Sequence, residues 1–178
     1  MARRPCRRLA VQSFTTVIER TAGFGIFLSI VFFIHLISRL NIHWDEFFFL
    51  SQVHSFIRGD ALSAFQTFHV HLFTWLTRLG LNEIGQIIVG RYCIAAVGMA
   101  SGLMIYRISR LYLSRSGALF SALCYFSYAS TLFYGAQFRA DPLCLFLFLM
   151  ALEIVLRRPA GLLQAVAAGA LLALAATA

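Results

Sequence analysis

Two pairs of charged side chains interrupt strongly apolar sequence and are the first candidates for chemistry. Asp45 and Glu46 are adjacent carboxylates in the segment Ile-His-Trp-Asp-Glu-Phe at 42–47. A carboxylate at the edge of an apolar phase is partly desolvated and therefore more basic, so this pair suits general-base catalysis. The alternative is that both acids lie in the first turn of a helix, where the helix dipole favours negative charge.

The second pair is Arg139 and Asp141, followed by Pro142. Aspartate is a favoured N-cap and proline a favoured first helical residue, so Asp141 can simply begin a helix. The functional alternative is that Asp141 faces Asp45. Two such acids can share a divalent cation, Mg²⁺ or Mn²⁺, while Arg139 holds a phosphate.

Other polar residues have weaker claims. His69 and His71 are two apart, which points them to different faces of a helix and argues against a joint metal site. Either can contact a substrate, but packing at a membrane interface with a hydrated imidazole is the simpler expectation. Arg91 lies one turn into an apolar segment and is predicted to extend to the surface. Glu153 and Arg157 are spaced for a pair within one helix.

The composition indicates which elements must position these residues. The chain has 178 residues with a net charge of +8, and 60% of it is apolar while only 12% is charged, whereas soluble domains carry about 25% charged residues. Its arginines punctuate apolar runs rather than forming a basic face, which argues against nucleic acid as a partner. We therefore predict one all-α domain over residues 1–178, a polytopic transmembrane helix bundle.

Five apolar segments are predicted to be spans, on the expectation that a spanning helix needs roughly 20 mostly apolar residues. They are residues 21–40, 87–106, 117–138, 142–156 and 161–178.

The loop 41–86 between the first two spans contains two amphipathic patterns. The first follows Asp45-Glu46 and ends at Gly59, and the second runs through 72–79 and ends at Gly80. Both are predicted to be helices in the membrane interface.

The distribution of arginine predicts the orientation. Ten of the fifteen basic residues fall in alternate connections, which are therefore predicted to be cytoplasmic: Arg3, Arg4, Arg7, Arg8, Arg20, Arg107, Arg110, Arg115, Arg157 and Arg158. The N-terminus is then cytoplasmic, and the first span is an uncleaved anchor. The loop 41–86 and the turn 139–141 share the opposite, trans side. Arginine without lysine is typical of a GC-rich genome, which favours a bacterial inner membrane over the endoplasmic reticulum.

These motifs, in this order, resemble the GT-C superfamily of membrane glycosyltransferases, especially the dolichyl-phosphate-mannose protein mannosyltransferases and the bacterial aminoarabinose transferases of lipid A. Trp-Asp-Glu-Phe-Phe at 44–48 is similar to the family's Asp-Glu motif, and the stretch 69–76 to its His-Pro-Pro region, although Val70 and His71 replace the prolines. Arg91 looks like the family's second-helix arginine, and 138–143 is similar to its Arg-x-Asp turn.

The resemblance implies an inverting transfer of sugar from a polyprenyl-phosphate lipid to a hydroxyl of a protein, lipid or glycan acceptor on the trans side. Asp45 would be the general base and Glu46 would orient it or the sugar. Arg139 or Arg91, with His69 and His71, would bind the donor, and Asp141 would bind a metal or position the donor. Members of this family are longer, so the chain is expected to be the N-terminal portion of such an enzyme.

Two other classes fit the same sequence. A transporter would use the acids to relay protons or bind its substrate, and would bury them at mid-bilayer, whereas here they cluster at the ends of spans. A structural membrane subunit would use them for packing alone.

Overall fold

The computed structural model describes residues 4–60, 67–157 and 161–178, and every regular element within them is helical. Arg3, Arg158 and the part 61–66 of the predicted trans loop lie outside these residues. The elements in chain order are α1 (Arg4–Arg39), α2 (Trp44–Arg58), α3 (Thr67–Phe73), a 3-10 helix (Thr74–Leu79), α4 (Glu83–Ser109), α5 (Arg115–Ser127), α6 (Ala129–Gly135), α7 (Asp141–Arg157) and α8 (Leu162–Ala176).

Two of the described helices are long and apolar enough to cross a membrane, the Thr15–Arg39 part of α1 and the whole of α4. At 1.5 Å per residue α4 is about 40 Å long, more than the roughly 30 Å of a bilayer's hydrocarbon core. The 17 residues of α7 and the 15 of α8 span only about 26 and 23 Å. The all-helical class is thus confirmed, together with two membrane-capable helices out of the five spans expected.

The prediction of one helix over 117–138 is wrong. Tyr128 has an extended backbone, with φ −74° and ψ 123°, and it separates α5 from α6. The break redirects the chain so that α6 packs between α1 and α4, with Gly135 against the ring of Phe33. The loop 136–140 then passes beside α2, which a straight helix would not allow.

The two amphipathic patterns do form helices, and each ends where the sequence indicates. Gly59 and Gly80 both have positive φ, 83° and 66°, the left-handed conformation that suits glycine at a helix end. The apolar face of α2 is buried at Phe49, Leu50 and Val53, and packs with residues of the 3-10 helix, α4 and the loop 136–140. These short helices therefore form a cap packed onto one end of α4.

Helix α4 is the centre of the bundle, with α1, α5 and α7 against it and α8 against α7. The ring of Phe126 in α5 packs directly on the backbone of α4 at Gly102, where an added Cβ would lie 2.3 Å from Cζ of that ring. At the capped end, the amide of Phe68 in α3 donates to the carbonyl of Thr177, 3.0 Å away, which ties the cap to the end of α8.

The close packing at Gly102 gives a test of the fold. Gly102→Ala should destabilise the protein by about 1–3 kcal/mol, because the buried ring of Phe126 must move to admit the methyl group. Gly23→Ala in α1 is the matched control, since nothing lies within 4 Å of its added Cβ and alanine is the better helix former by about 1 kcal/mol. Thermal unfolding in detergent measures both, and equal shifts in Tm would contradict the α4–α5 packing.

Candidate functional site

A buried ion pair lies at the capped end of the bundle. The carboxylate of Glu46, at 0% exposure, accepts two hydrogen bonds from Arg91, from Nε to Oε1 at 2.8 Å and from Nη2 to Oε2 at 2.7 Å. This two-point geometry joins a planar guanidinium to a carboxylate with both partners desolvated. The pair fixes the start of α2 against α4.

The remaining donors of Arg91 bind the end of α1. Its Nη1 donates to the carbonyls of Ile37 and Leu40 at 2.8 and 2.9 Å, and Nη2 donates to Asn41 at 3.1 Å. The last carbonyls of a helix lack partners within the helix, and a cation suits that end of its dipole. All five N–H donors of Arg91 are thereby used.

Glu46 also receives two backbone amides. His43 donates to Oε2 at 3.0 Å, in a capping box that begins α2, and Phe138 donates to Oε1 at 2.7 Å from the loop 136–140. Burial alone would raise the pKa of Glu46. The hydrogen bonds from Arg91, Phe138 and His43 and the charge of Arg91 outweigh it and hold that pKa below its usual value.

This geometry changes two expectations from the sequence. Arg91 does not extend to the surface: it is 1% exposed, because Glu46 and three carbonyls offer it a complete set of acceptors inside the protein. It has no donor left for a phosphate in this arrangement. Both oxygens of Glu46 are occupied as well, so its place in the structure is to position its neighbours.

A second cluster sits beside this pair, nearer the surface. Arg139 donates from Nη1 to Asp45 at 2.5 Å and from Nε to Asp141 at 2.8 Å, and its guanidinium lies 5.0 Å from the ring centroid of Tyr134. The structure thus brings together Asp45, Arg139 and Asp141, which are up to 96 positions apart in the chain. Asp141 lies in the first turn of α7 and its carboxylate binds Arg139.

The second cluster keeps polar atoms free. The side chains of Asp45 and Arg139 are each 21% exposed and that of Asp141 is 64% exposed. Within the described part of the chain, no protein group bonds Oδ1 of either aspartate or Nη2 of Arg139. This cluster, unlike the Glu46–Arg91 pair, can accept a proton and donate to an anion.

A groove of about 190 Å³ adjoins Asp141. Its lining is mainly apolar and includes the rings of Tyr125, Tyr128 and Tyr134, with Ser130 and Thr131 beside them. Aromatic faces of this kind suit the apolar face of a ring compound such as a sugar. Sequence reasoning missed this lining, although the run of tyrosine, serine and threonine over 125–134 directly precedes Arg139 and was the available signal.

The two histidines are placed differently from each other. His71 is exposed, with its ring 4.5 Å from that of Phe56. His69 is fully buried among the rings of Phe49, Phe73 and Phe138, 4.9–5.2 Å away, and neither of its ring nitrogens has a hydrogen-bond partner. The expectation of a hydrated imidazole is therefore wrong for His69, because α2, α3 and the loop 136–140 close around it.

The divalent cation expected between Asp45 and Asp141 stays a prediction, and the guanidinium of Arg139 lies between the two carboxylates. The described residues contain no group of three or more histidines, cysteines and acids that could hold a metal ion. The guanidinium of Arg139 bonds both Asp45 and Asp141, so it already supplies the positive charge between the two carboxylates.

Comparison with family models, with curated proteins and with solved structures finds no match to this chain. The features of the described residues that bear on function are the Asp45–Arg139–Asp141 cluster, the groove beside it and the buried Glu46–Arg91 pair.

The buried pair makes a direct prediction about stability. Glu46→Gln or Arg91→Met should each destabilise the protein by about 3–5 kcal/mol, because either leaves an uncompensated buried group, and the double variant should recover part of this loss. Arg58→Gln is the control, since its pair with Asp60 is exposed and is worth at most about 1 kcal/mol. Chemical unfolding of the four variants gives the interaction free energy between Glu46 and Arg91. If the losses of the two single variants simply added in the double variant, the two side chains would not be coupled.

His69 makes a prediction about pH. Burial lowers its pKa from 6.5 to about 4, so between those values the unfolded chain binds a proton that the folded chain does not. Stability should fall as the pH drops from 6.5 to 4, by up to about 3 kcal/mol. His69→Phe should remove this loss while His71→Phe keeps it. Unfolding measured at several pH values checks this, and a loss that persists in His69→Phe would assign it to another group.

Proposed function

We propose that this chain carries the catalytic face of a membrane glycosyltransferase of the GT-C type, which moves a sugar from a polyprenyl-phosphate donor to an acceptor hydroxyl. The observation that supports this best is the partly exposed Asp45–Arg139–Asp141 cluster at the edge of a groove lined by tyrosine rings. A base, a phosphate-binding cation and an aromatic surface on which a sugar ring can pack are the parts that such a transfer requires.

Arg139 is assigned to the donor phosphate. It has unbonded N–H groups at the surface, whereas Arg91 has none, so of the two arginines expected to hold phosphate only Arg139 has the capacity to do so. A guanidinium matches two phosphate oxygens and offsets the charge that develops on the leaving group.

Asp45 is assigned as the general base. Its free Oδ1 takes the proton of the acceptor hydroxyl as that oxygen bonds to the anomeric carbon of the sugar. The bond from the same carbon to the phosphate oxygen breaks, and polyprenyl phosphate leaves with the electron pair. Attack opposite the leaving group inverts the anomeric configuration. Asp141 holds Arg139 from its other side, and His71 is exposed at the same cap for contact with the donor.

A location in a membrane, where a lipid-linked donor would be presented, is supported by the apolar surface of α1. Phe24, Phe27 and Phe32 are more than half exposed in the part of α1 that is long and apolar enough to span. Such a surface suits lipid rather than water. We place the protein in a bacterial inner membrane, with its N-terminus cytoplasmic and the cluster on the trans side. The acceptor is then a protein, lipid or glycan on that side.

The catalytic assignment is tested at Asp45. Asp45→Asn, made in the protein at its full natural length, should lower sugar transfer from a polyprenyl-phosphate donor by about 10²–10⁴-fold, because the amide no longer accepts the proton. Its oxygen still accepts the hydrogen bond from Arg139, so the unfolding temperature should change little. Asp60→Asn is the matched control, an exposed acid just after α2 that pairs with Arg58, and it should keep full activity.

Each other outcome has a definite meaning. Full transfer by Asp45→Asn would remove Asp45 from the reaction. Uptake of a solute into vesicles that depends on Asp141, without any transfer, would favour a transporter. Joint replacement of Asp45 and Asp141 by asparagine without loss of function would favour a structural subunit.

A further inference from the structure

A second group of charges lies at the other end of α4 and α7. The buried carboxylate of Glu153 accepts a hydrogen bond at Oε1 from Nε of Arg107 at 2.8 Å, and the same oxygen forms an ion pair with Nη2 of Arg157 at 2.6 Å. The pair within α7 was predicted from the i,i+4 spacing and is confirmed. Arg107 comes from α4, a partner that local spacing does not reveal.

This group carries an excess positive charge. Two guanidiniums share one carboxylate, and within the described residues each uses only one of its five donors. Their side chains are 47% and 46% exposed, so the remaining donors of Arg107 and Arg157 are accessible. An anion that reaches both would complete the charge balance.

An apolar groove of about 660 Å³ opens beside Arg157. It is lined by Leu111, Ile154, Arg157, Leu163, Gln164 and Ala167. Leu163 at its edge is 83% exposed, and the preceding Leu162 is 84% exposed. A compound that fits both features has an anionic head and an apolar chain.

We propose that this group and groove bind an anionic phospholipid, with the lipid phosphate on Arg107 and Arg157 and an acyl chain along Leu111 and Leu163. The position agrees with this chemistry, because the group lies near the end of a helix long enough to span the bilayer, the depth at which headgroups lie. A free phosphate would use the arginines and leave the groove and its exposed leucines empty. The site lies at the opposite end of α4 from Asp45, and the proposal of lipid binding does not depend on the proposed sugar transfer.

The test is to titrate the detergent-solubilised protein with phosphatidylglycerol or with phosphatidylcholine, and to measure lipid binding by native mass spectrometry. Phosphatidylglycerol should bind at least tenfold more tightly than phosphatidylcholine, and Arg157→Gln should weaken the binding of phosphatidylglycerol about tenfold. Arg115→Gln is the matched control, because Arg115 is an ion-paired arginine at the same end that does not line the groove.

A second variant separates binding from folding. Glu153→Gln removes the shared carboxylate and leaves both arginines, so it should bind phosphatidylglycerol as tightly as the natural protein or more tightly, whereas a purely structural triad would lose binding with the fold. Equal affinity for the two lipids, or no effect of Arg157→Gln, would overturn the proposal. So would full displacement of phosphatidylglycerol by millimolar inorganic phosphate, which would assign the arginines to a soluble anion.

Discussion

The ion pair between Glu46 and Arg91 is the constraint on which the capped end of the molecule depends. Two desolvated charges are tolerated only when every donor and acceptor around them is satisfied, and here the carbonyls at the end of α1 and the amides of His43 and Phe138 complete the set. Four segments of the chain therefore meet at one point. Asp45 and Arg139 each adjoin a residue of that point, which is why they lie together.

The two clusters differ in how many of their hydrogen-bond donors already have partners within the protein. Arg91 and Arg139 have the same guanidinium, yet one is saturated and buried while the other keeps donors at the surface. Saturation gives rigidity, and incomplete bonding gives the capacity to bind a ligand. A rigid support beneath a partly unsatisfied cluster is the arrangement that precise positioning of a reacting group requires.

The sequence allowed prediction of what is local. Apolar periodicity and Gly59 defined α2, Gly80 marked the end of the second amphipathic pattern, and the i,i+4 spacing gave the pair in α7. The partners of Arg91 lie about 50 positions away, and no spacing rule reaches them. The aromatic rings around His69 also come from three separate segments of the chain, so local sequence does not predict its burial. No proline or glycine lies next to Tyr128, so the sequence gives no signal for the helix break there.

The order in which the chain is made gives the buried pair a further consequence. Glu46 is synthesised 45 residues before Arg91 and 92 residues before Phe138. A nascent chain can thus neutralise Glu46 as soon as α4 is present, whereas the last amide arrives only after α5, the turn at Tyr128 and α6. The cluster of Asp45, Arg139 and Asp141 can therefore form only after residue 141 has been synthesised, when both partners of the buried pair are already present.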